Sequence, residues 1–295
     1  MSTFRLRRTL LFLPGNNPRF LQRALESEAD GLILDIEDAV APEHKLQARE
    51  MVREALRTAD FGRKERVVRV NNVTSPQGAG DIDAVVAGGA DLILVPKADS
   101  PAVLQTAEHL VTAAERRHGA PEGRTQLGAL IETAIGLINV DQTAFATPRL
   151  AVLCFGAGDF GLSTGIKPGP DEAEYLYPES RIMVAARAAG AMALGTPWVE
   201  NIADIEGARR SAQRERRLGL VGKCLIHPTH VQVVNEAFTP SGEEIAYAQK
   251  VVTAYESAGR GAIQVDGKLI EHLHVAQMRQ VLDIARLAGK LSAGA

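Results

Sequence analysis

Eight short apolar runs recur along the chain, at residues 9–13, 31–36, 67–70, 92–95, 127–131, 152–155, 191–194 and 222–226. Each run is continuous rather than alternating, as in strands of a parallel sheet covered on both faces. Amphipathic helical patterns lie between them, at 19–28, 43–58, 102–118, 179–189 and 205–218. In 43–58 the apolar Leu46, Val52, Ala55 and Leu56 fall near one face, with charges opposite. Eight βα units with no Pro/Gly/Ser-rich linker dividing them predict an α/β fold of the (β/α)8 (TIM) barrel kind. A doubly wound open sheet is the alternative. No dinucleotide-type glycine fingerprint follows the first strand to support it.

The chain continues past the eighth run. Residues 241–257 read as a helix with Ser241 as N-cap and Glu244 three positions on. Residues 263–270 read as a hairpin around Asp266-Gly267, and 273–287 as a last helix. A barrel domain over 1–235 and an extension over 236–295 are therefore expected, the extension serving as a dimer-forming element or as a lid. A net charge of -3 and 4% aromatics give no general attraction to nucleic acid or anionic membrane and no base-stacking surface. The apolar run at 10–13 stops at Pro14-Gly15, too short for a signal peptide, and no stretch is long enough to span a membrane. Cys154 and Cys224 sit in apolar runs and read as reduced core residues of a cytoplasmic protein.

Chemistry in such barrels gathers at the C-terminal strand ends. The first run ends in Pro14-Gly15-Asn16-Asn17 before Pro18-Arg19, a loop of the kind that can contact phosphate. The second ends in Asp35-Ile36-Glu37-Asp38, where like charges are costly unless a cation or an arginine neutralises them; Lys45 and Arg49 follow. The third presents Arg69-Val70-Asn71, whose guanidinium suits a substrate carboxylate. Pro96-Lys97, Glu132, Gly156-Ala157-Gly158-Asp159 and His227-Pro228 end the fourth, fifth, sixth and eighth. Glu132 or Asp159 alone could favour the start of the helix that follows it. As a pair they suggest a divalent cation on hard oxygens, and the absence of a His-rich set favours magnesium over zinc. A metal there, with Arg69, could hold a 2-oxo acid and stabilise oxygen charge as a neighbouring C–C bond forms or breaks. Lys97 stands where a Schiff-base aldolase would carry its nucleophile. That mechanism leaves Glu132 and Asp159 without a task, so pairing with carboxylates or substrate is preferred. His227 and His230 read as loop or capping residues, His272 and His274 as surface residues.

Leu13-Pro14-Gly15-Asn16, the acidic run 34–42 with Lys45, Arg69-Val70-Asn71, Pro96-Lys97, Ile131-Glu132-Thr133 and Gly156-Ala157-Gly158-Asp159 together resemble the citrate lyase β-subunit-like group. That group lies within the HpcH/HpaI aldolase and malyl-CoA lyase family, and the resemblance covers nearly the whole chain. It implies a (β/α)8 barrel with Mg2+, or Mn2+ in its place, on Glu132 and Asp159. It also implies Arg69 at the substrate oxygens, a coenzyme A thioester as substrate, and a homotrimer or hexamer. Asp38 is expected to join Arg69 in catalysis, with Glu37, Lys97, Ala157 and Gly158 against substrate and Asn16, Arg19 and Lys45 against coenzyme A. Relatives of the malyl-CoA lyase type carry a lid from a neighbouring subunit, of the form Asp-Gly-Lys-(Met/Leu)-Ile-Asp-x-Pro, whose aspartate handles the acyl-methyl proton. Here the segment runs from Asp266 to Leu273, with Glu271 for the aspartate and Leu273 for the proline. The extra methylene matters where catalytic geometry is sensitive to shifts of about an ångström. The implied function is a lyase opening or forming citryl-, malyl- or citramalyl-CoA from an acyl-CoA and oxaloacetate, glyoxylate or pyruvate. A malyl- or citramalyl-CoA thioesterase, or a non-catalytic oligomer binding oxo acid and coenzyme A, are the alternatives.

Overall fold

The structure, a computed structural model, describes residues 5–259 and 261–292. Eight parallel strands close into a barrel in chain order. They are β1 (Thr9–Pro14), β2 (Gly31–Asp35), β3 (Glu65–Arg69), β4 (Leu92–Val95), β5 (Gln126–Ile131), β6 (Leu150–Phe155), β7 (Met192–Gly195) and β8 (Gly222–Leu225). Strands β2 and β4 are buried at every position, which is why the runs are continuously apolar. Register pairs Pro14 with Asp35, Asp35 with Arg69, and Ile131 with Phe155, so the strand ends that carry polar residues stand level with their neighbours. Leu10, Ile33, Val67, Leu130, Val152 and Leu194 fill the interior together with Cys154 and Cys224, both free thiols as expected. Arg7 closes the lower end, forking onto Glu65 at 2.7 Å for both bonds and reaching Gln126 Oε1 at 2.9 Å.

Helices α1 (Pro18–Leu25), α2 (Lys45–Thr58), α3 (Gly78–Gly88), α4 (Pro101–Arg117), α5 (Ala134–Thr143), α6 (Ala157–Thr164), α7 (Leu176–Ala188) and α8 (Ile205–Leu218) connect the strands. On α2 the buried face is Ala48, Val52 and Leu56, spaced four apart. Leu46 is 64% exposed, which corrects the expected inner face. The turn-like composition of Gly78-Ala79-Gly80 and Gly156-Ala157-Gly158 hides the starts of α3 and α6, which the helical patterns do not mark.

Arg7–Asn235 form one compact unit. The described residues from Glu236 onward, with Arg5 and Leu6, form another. Helix α9 (Val231–Phe238) runs across that boundary, and α10 (Gly242–Ala258), β9 (Ile263–Val265), β10 (Lys268–Ile270) and α11 (His272–Leu287) follow. Ser241 and Glu244 form the expected capping box. Asp266 at φ 50° and Gly267 at φ 77° make the tight turn between β9 and β10. Val251, Val265, Ile270 and Val275 pack together beneath the hairpin. No described helix is long and apolar enough to cross a membrane.

Candidate active site

Neighbouring strand ends build the first half of the site. Asp35 on β2 and Arg69 on β3 are register partners, and Arg69 donates from Nε to Asp35 Oδ1 (2.9 Å) and from Nη2 to Oδ2 (2.6 Å). Such a bidentate pair fixes the guanidinium plane. Phe12 lies against that plane, 5.1 Å from ring centre to Cζ. Glu37 Oε2 approaches Arg69 Nη1 to 3.1 Å without accepting a hydrogen bond, and the more exposed Asp38 stands at 3.9 Å. Burial opposes the charge on Arg69, but hydrogen bonding to Asp35, then Glu37 and Glu132, raises its pKa overall. Burial also raises the Glu37 carboxyl, with Arg69 and Lys97 pulling it down and Asp38 pushing it up.

The second half lies at the ends of β4, β5 and β6. Lys97 follows β4 in the left-handed region at φ 46°, a strain of about 1–3 kcal/mol for a side-chain-bearing residue. That backbone lets its N–H donate to Glu132 Oε1 at 2.7 Å, while Nζ reaches Glu37 Oε1 at 3.3 Å. Burial lowers the Lys97 ammonium, but Glu37, Asp38 and Asp159 outweigh it, so its pKa is raised. A Schiff-base nucleophile needs the opposite shift. Glu132 is buried and its pKa is pushed up to about 8, first by burial and then by Glu37 and Asp159 against the Lys97 amide and Arg69. Gly156 makes room for it: a Cβ there would stand 2.6 Å from Glu132 Cβ and 2.9 Å from Oε2. Asp159 sits in the first turn of α6, and Thr133 N-caps α5 by accepting from Gly136 N–H at 2.9 Å.

A cavity of about 760 Å³ collects Asp35, Asp38, Arg69, Glu132, Ala157, Gly158 and Asp159 from the expected set. Phe12, Leu130, Phe155, Ile166 and Ile226 give it apolar walls. Ala157 N–H is taken by Thr196 Oγ1 at 3.1 Å, whereas a Cβ on Gly158 would meet nothing within 4 Å. Glu37 and Lys97, expected against substrate, and Asn16, Arg19 and Lys45, expected against coenzyme A, do not line the cavity. Asn17 Oδ1, rather than a phosphate, accepts from the N–H groups of Arg19 and Phe20 at the start of α1. Lys45 Nζ donates to Ile36 O (3.3 Å), Glu37 O (2.8 Å) and Asn71 Oδ1 (2.6 Å), which occupies all three of its protons. Glu271, in the other compact unit, is exposed at the N-cap of α11, and its N–H donates to His274 Nδ1 at 3.0 Å. His227 accepts from Thr229 N–H, and the buried His230 bonds Ile202 O. Thr196, Tyr175 and Glu172 also line the cavity, and nothing in their local sequence signals it; Asp35 is signalled only as part of the acidic run that ends its strand.

The donor set fits a hard divalent cation. Two carboxylates from adjacent strand ends face one cavity, and burial first, with Glu37 and Asp159 adding to it, pushes the Glu132 carboxyl up to about 8. Among the described residues no three His, Cys, Asp or Glu side chains converge as a complete ligand cage. That suits Mg2+, which is commonly held by one or two carboxylates with water and substrate oxygens completing the octahedron.

Residues 8–228 match the HpcH/HpaI aldolase/citrate lyase family, and residues 170–289 match a family described as a C–C bond lyase of the TIM-barrel fold. The chain is 38% identical over 288 residues to a citrate lyase subunit beta of Leuconostoc mesenteroides subsp. cremoris, covering 97% of this chain and 95% of that one. It is 36% identical over 278 residues to a (3S)-malyl-CoA thioesterase of Cereibacter sphaeroides, covering 93% of each. The Mycobacterium tuberculosis protein CitE, solved in complex with magnesium, acetoacetate and coenzyme A, superposes with a TM-score of 0.76 at 30% identity, covering 96% of this chain and 98% of that one. The chain thus belongs to the HpcH/HpaI aldolase/citrate lyase family and is a carbon–carbon lyase.

Proposed function

We propose that the protein is a Mg2+-dependent lyase that cleaves, or in reverse condenses, a short 3-hydroxyacyl-CoA into an acyl-CoA and a 2-oxo acid. The observation that carries this is the pairing of Glu132 and Asp159 with a guanidinium already oriented by Asp35 in one cavity. Glu132 and Asp159 would hold the cation, which supplies Lewis-acid stabilisation of oxygen charge. The rest falls to this chain's own residues. Arg69, held against rotation by Asp35 and Phe12, presents its remaining protons to a substrate oxygen, so little reorganisation is needed as charge develops there. Lys97, kept protonated by Glu37, offers a second cation near the acidic turn. In cleavage the carbinol hydroxyl loses its proton as its oxygen becomes the oxo group. The C–C bonding pair passes to the thioester α-carbon, and that carbon takes up a proton, so no net proton is consumed. Glu271 is our candidate for the carbon-bound proton, acting from the 236–295 lid on a neighbouring subunit's cavity in a homotrimer or hexamer. Neither the cavity nor the composition calls for nucleic acid or membrane, and a cytoplasmic setting suits the free thiols Cys154 and Cys224.

A thioesterase is the second reading, favoured by the 36% identity to the malyl-CoA thioesterase. One assay separates the two. Purified protein with Mg2+ is given citryl-, malyl- and citramalyl-CoA, and oxo acid and free thiol are followed independently. Oxo acid without free thiol, abolished by EDTA and by Asp159→Ala, is the expected result. Free thiol without oxo acid would replace the lyase with the thioesterase, and neither product would remove both.

A further inference from the structure

Behind one wall of the cavity six ionisable or polar side chains are buried together. Lys223, on β8 with no exposed surface, donates to Glu215 Oε1 of α8 at 2.5 Å and to Ser211 Oγ at 2.9 Å. Ser211 in turn donates to Glu172 Oε2 at 2.5 Å. Arg214 forks onto Glu179 of α7 at 2.7 and 3.1 Å and reaches Glu172 Oε2 at 3.2 Å. The Glu215 carboxyl occupies the space that a side chain on residue 195 would fill, so Gly195 is part of the arrangement. Burial pushes the Glu215 carboxyl well above its ordinary value, against the pull of Lys223, in a group where three carboxyls face two cations.

Of the six, Glu172 alone lines the cavity. It is 5% exposed and sits at φ 54°, so its carboxylate is fixed both by its backbone and by Ser211 and Arg214. Glu200 lines the same cavity, and the Tyr175 phenol on that wall reports the local field. Burial first, then Glu172, Glu200, Glu179 and Glu174, push that phenol up to about 12. Among the described lining residues Arg69 is the one cation, against the carboxylates of Asp35, Asp38, Glu132, Asp159, Glu172 and Glu200. A cation on Glu132 and Asp159, together with Arg69, can receive one substrate carboxylate and the oxygen beside it. A second carboxylate on the far wall would meet Glu172 and Glu200, where the cation behind Glu172, Arg214, is already shared with Glu179. Lys97 lies outside the lining and is engaged by Glu37 on the side of Asp38 and Asp159.

Resting on the lyase reading above, we propose that Glu172 is a specificity-determining residue that restricts the released oxo acid to a single carboxylate. The discrimination is by repulsion: a fixed anion rejects the substrate that brings an extra one. The cleaved thioesters are then those with one free carboxylate, as in malyl- and citramalyl-CoA, rather than two, as in citryl-CoA.

The test compares kcat/KM for these thioesters on the full chain with Mg2+. The monocarboxylic substrates are expected to exceed citryl-CoA by at least about tenfold, and Glu172→Gln to shrink that ratio by about fivefold or more through KM for citryl-CoA. Glutamine keeps an acceptor for Ser211 while removing the charge. A wild-type ratio near one, or a ratio unmoved by Glu172→Gln, would overturn the assignment. If no thioester is cleaved, the lyase reading fails on its own. Competition of pyruvate and oxaloacetate for the Mg2+-loaded wild type, followed by calorimetry, then decides the specificity. Tighter pyruvate binding supports it, and equal or tighter oxaloacetate binding overturns it.

Discussion

The Glu132 carboxyl, with its pKa at about 8, keeps a proton in the metal-free protein at neutral pH, and a cation must displace that proton to bind. Mg2+ affinity should therefore climb with pH up to about 8 and flatten beyond it. Calorimetric titrations giving the same affinity at pH 6 and pH 8 would contradict this. Stability moves the other way. A carboxyl raised from 4.5 to about 8 on folding stabilises the fold fully below 4.5 and loses that contribution as pH rises to about 8. The metal-free protein should thus melt lower at pH 8 than at pH 6, with Mg2+ restoring the difference and Glu132→Gln lacking this part of the slope. Gly156 offers a steric handle on the same carboxyl. Gly156→Ala places a methyl 2.6 Å from Glu132 Cβ. Overpacking of this kind costs about 1–3 kcal/mol. Mn2+ affinity, read by electron paramagnetic resonance, should fall at least about tenfold while the far-ultraviolet spectrum keeps its shape.

Elements matter through what they tie together. Beneath the acidic turn after β2, Lys45 holds the carbonyls of Ile36 and Glu37, and Asn71 donates to Ile36 O (3.0 Å) and Asp81 Oδ2 (2.6 Å). Asp81 also pairs with Arg49 at 2.7 Å, so β2, β3, α2 and α3 share one polar knot. Asn71→Ala removes the amide donor to Ile36 O and Asp81 Oδ2 and the buried oxygen that accepts from Lys45, and should cost about 1–3 kcal/mol in denaturant unfolding. Lys45→Ala should lower stability by a similar amount without weakening coenzyme A binding; a clear loss of coenzyme A affinity would return Lys45 to a phosphate-binding role. The sequence shows Lys45 beside three carboxylates but not which oxygens it meets, because backbone carbonyls carry no residue signature. Register is likewise hidden, and it is register that sets Asp35 against Arg69 rather than against a substrate. Helix starts rich in glycine escape notice because their composition is that of a turn, as at Gly78 and Gly156. Leu46 misleads in the opposite sense, an apolar residue at helical spacing that faces water.

At the scale of the molecule the barrel is legible because all eight strands are buried in a hydrophobic rhythm, and Glu132, Asp159 and Arg69 because they interrupt that rhythm at strand ends. The wall behind Glu172 is not legible, since its six members come from β8, α7, α8 and a loop, and nothing in their local sequence announces a meeting. Lys223→Met should destabilise the chain by about 3–5 kcal/mol, since it leaves the Glu215 side beside Ser211 without its cation; denaturant unfolding measures this. Gly195, Glu215 and Lys223 also impose an order on change in any lineage that carries them. A side chain at 195 is blocked while Glu215 fills its space, and Glu215 is held while Lys223 needs an acceptor. Substitution can therefore proceed only in step, with the charged pair exchanged for smaller neutral residues before 195 is released. Descendants should carry the trio whole or not at all, a block of epistasis lying between helix and strand and away from the residues that touch substrate.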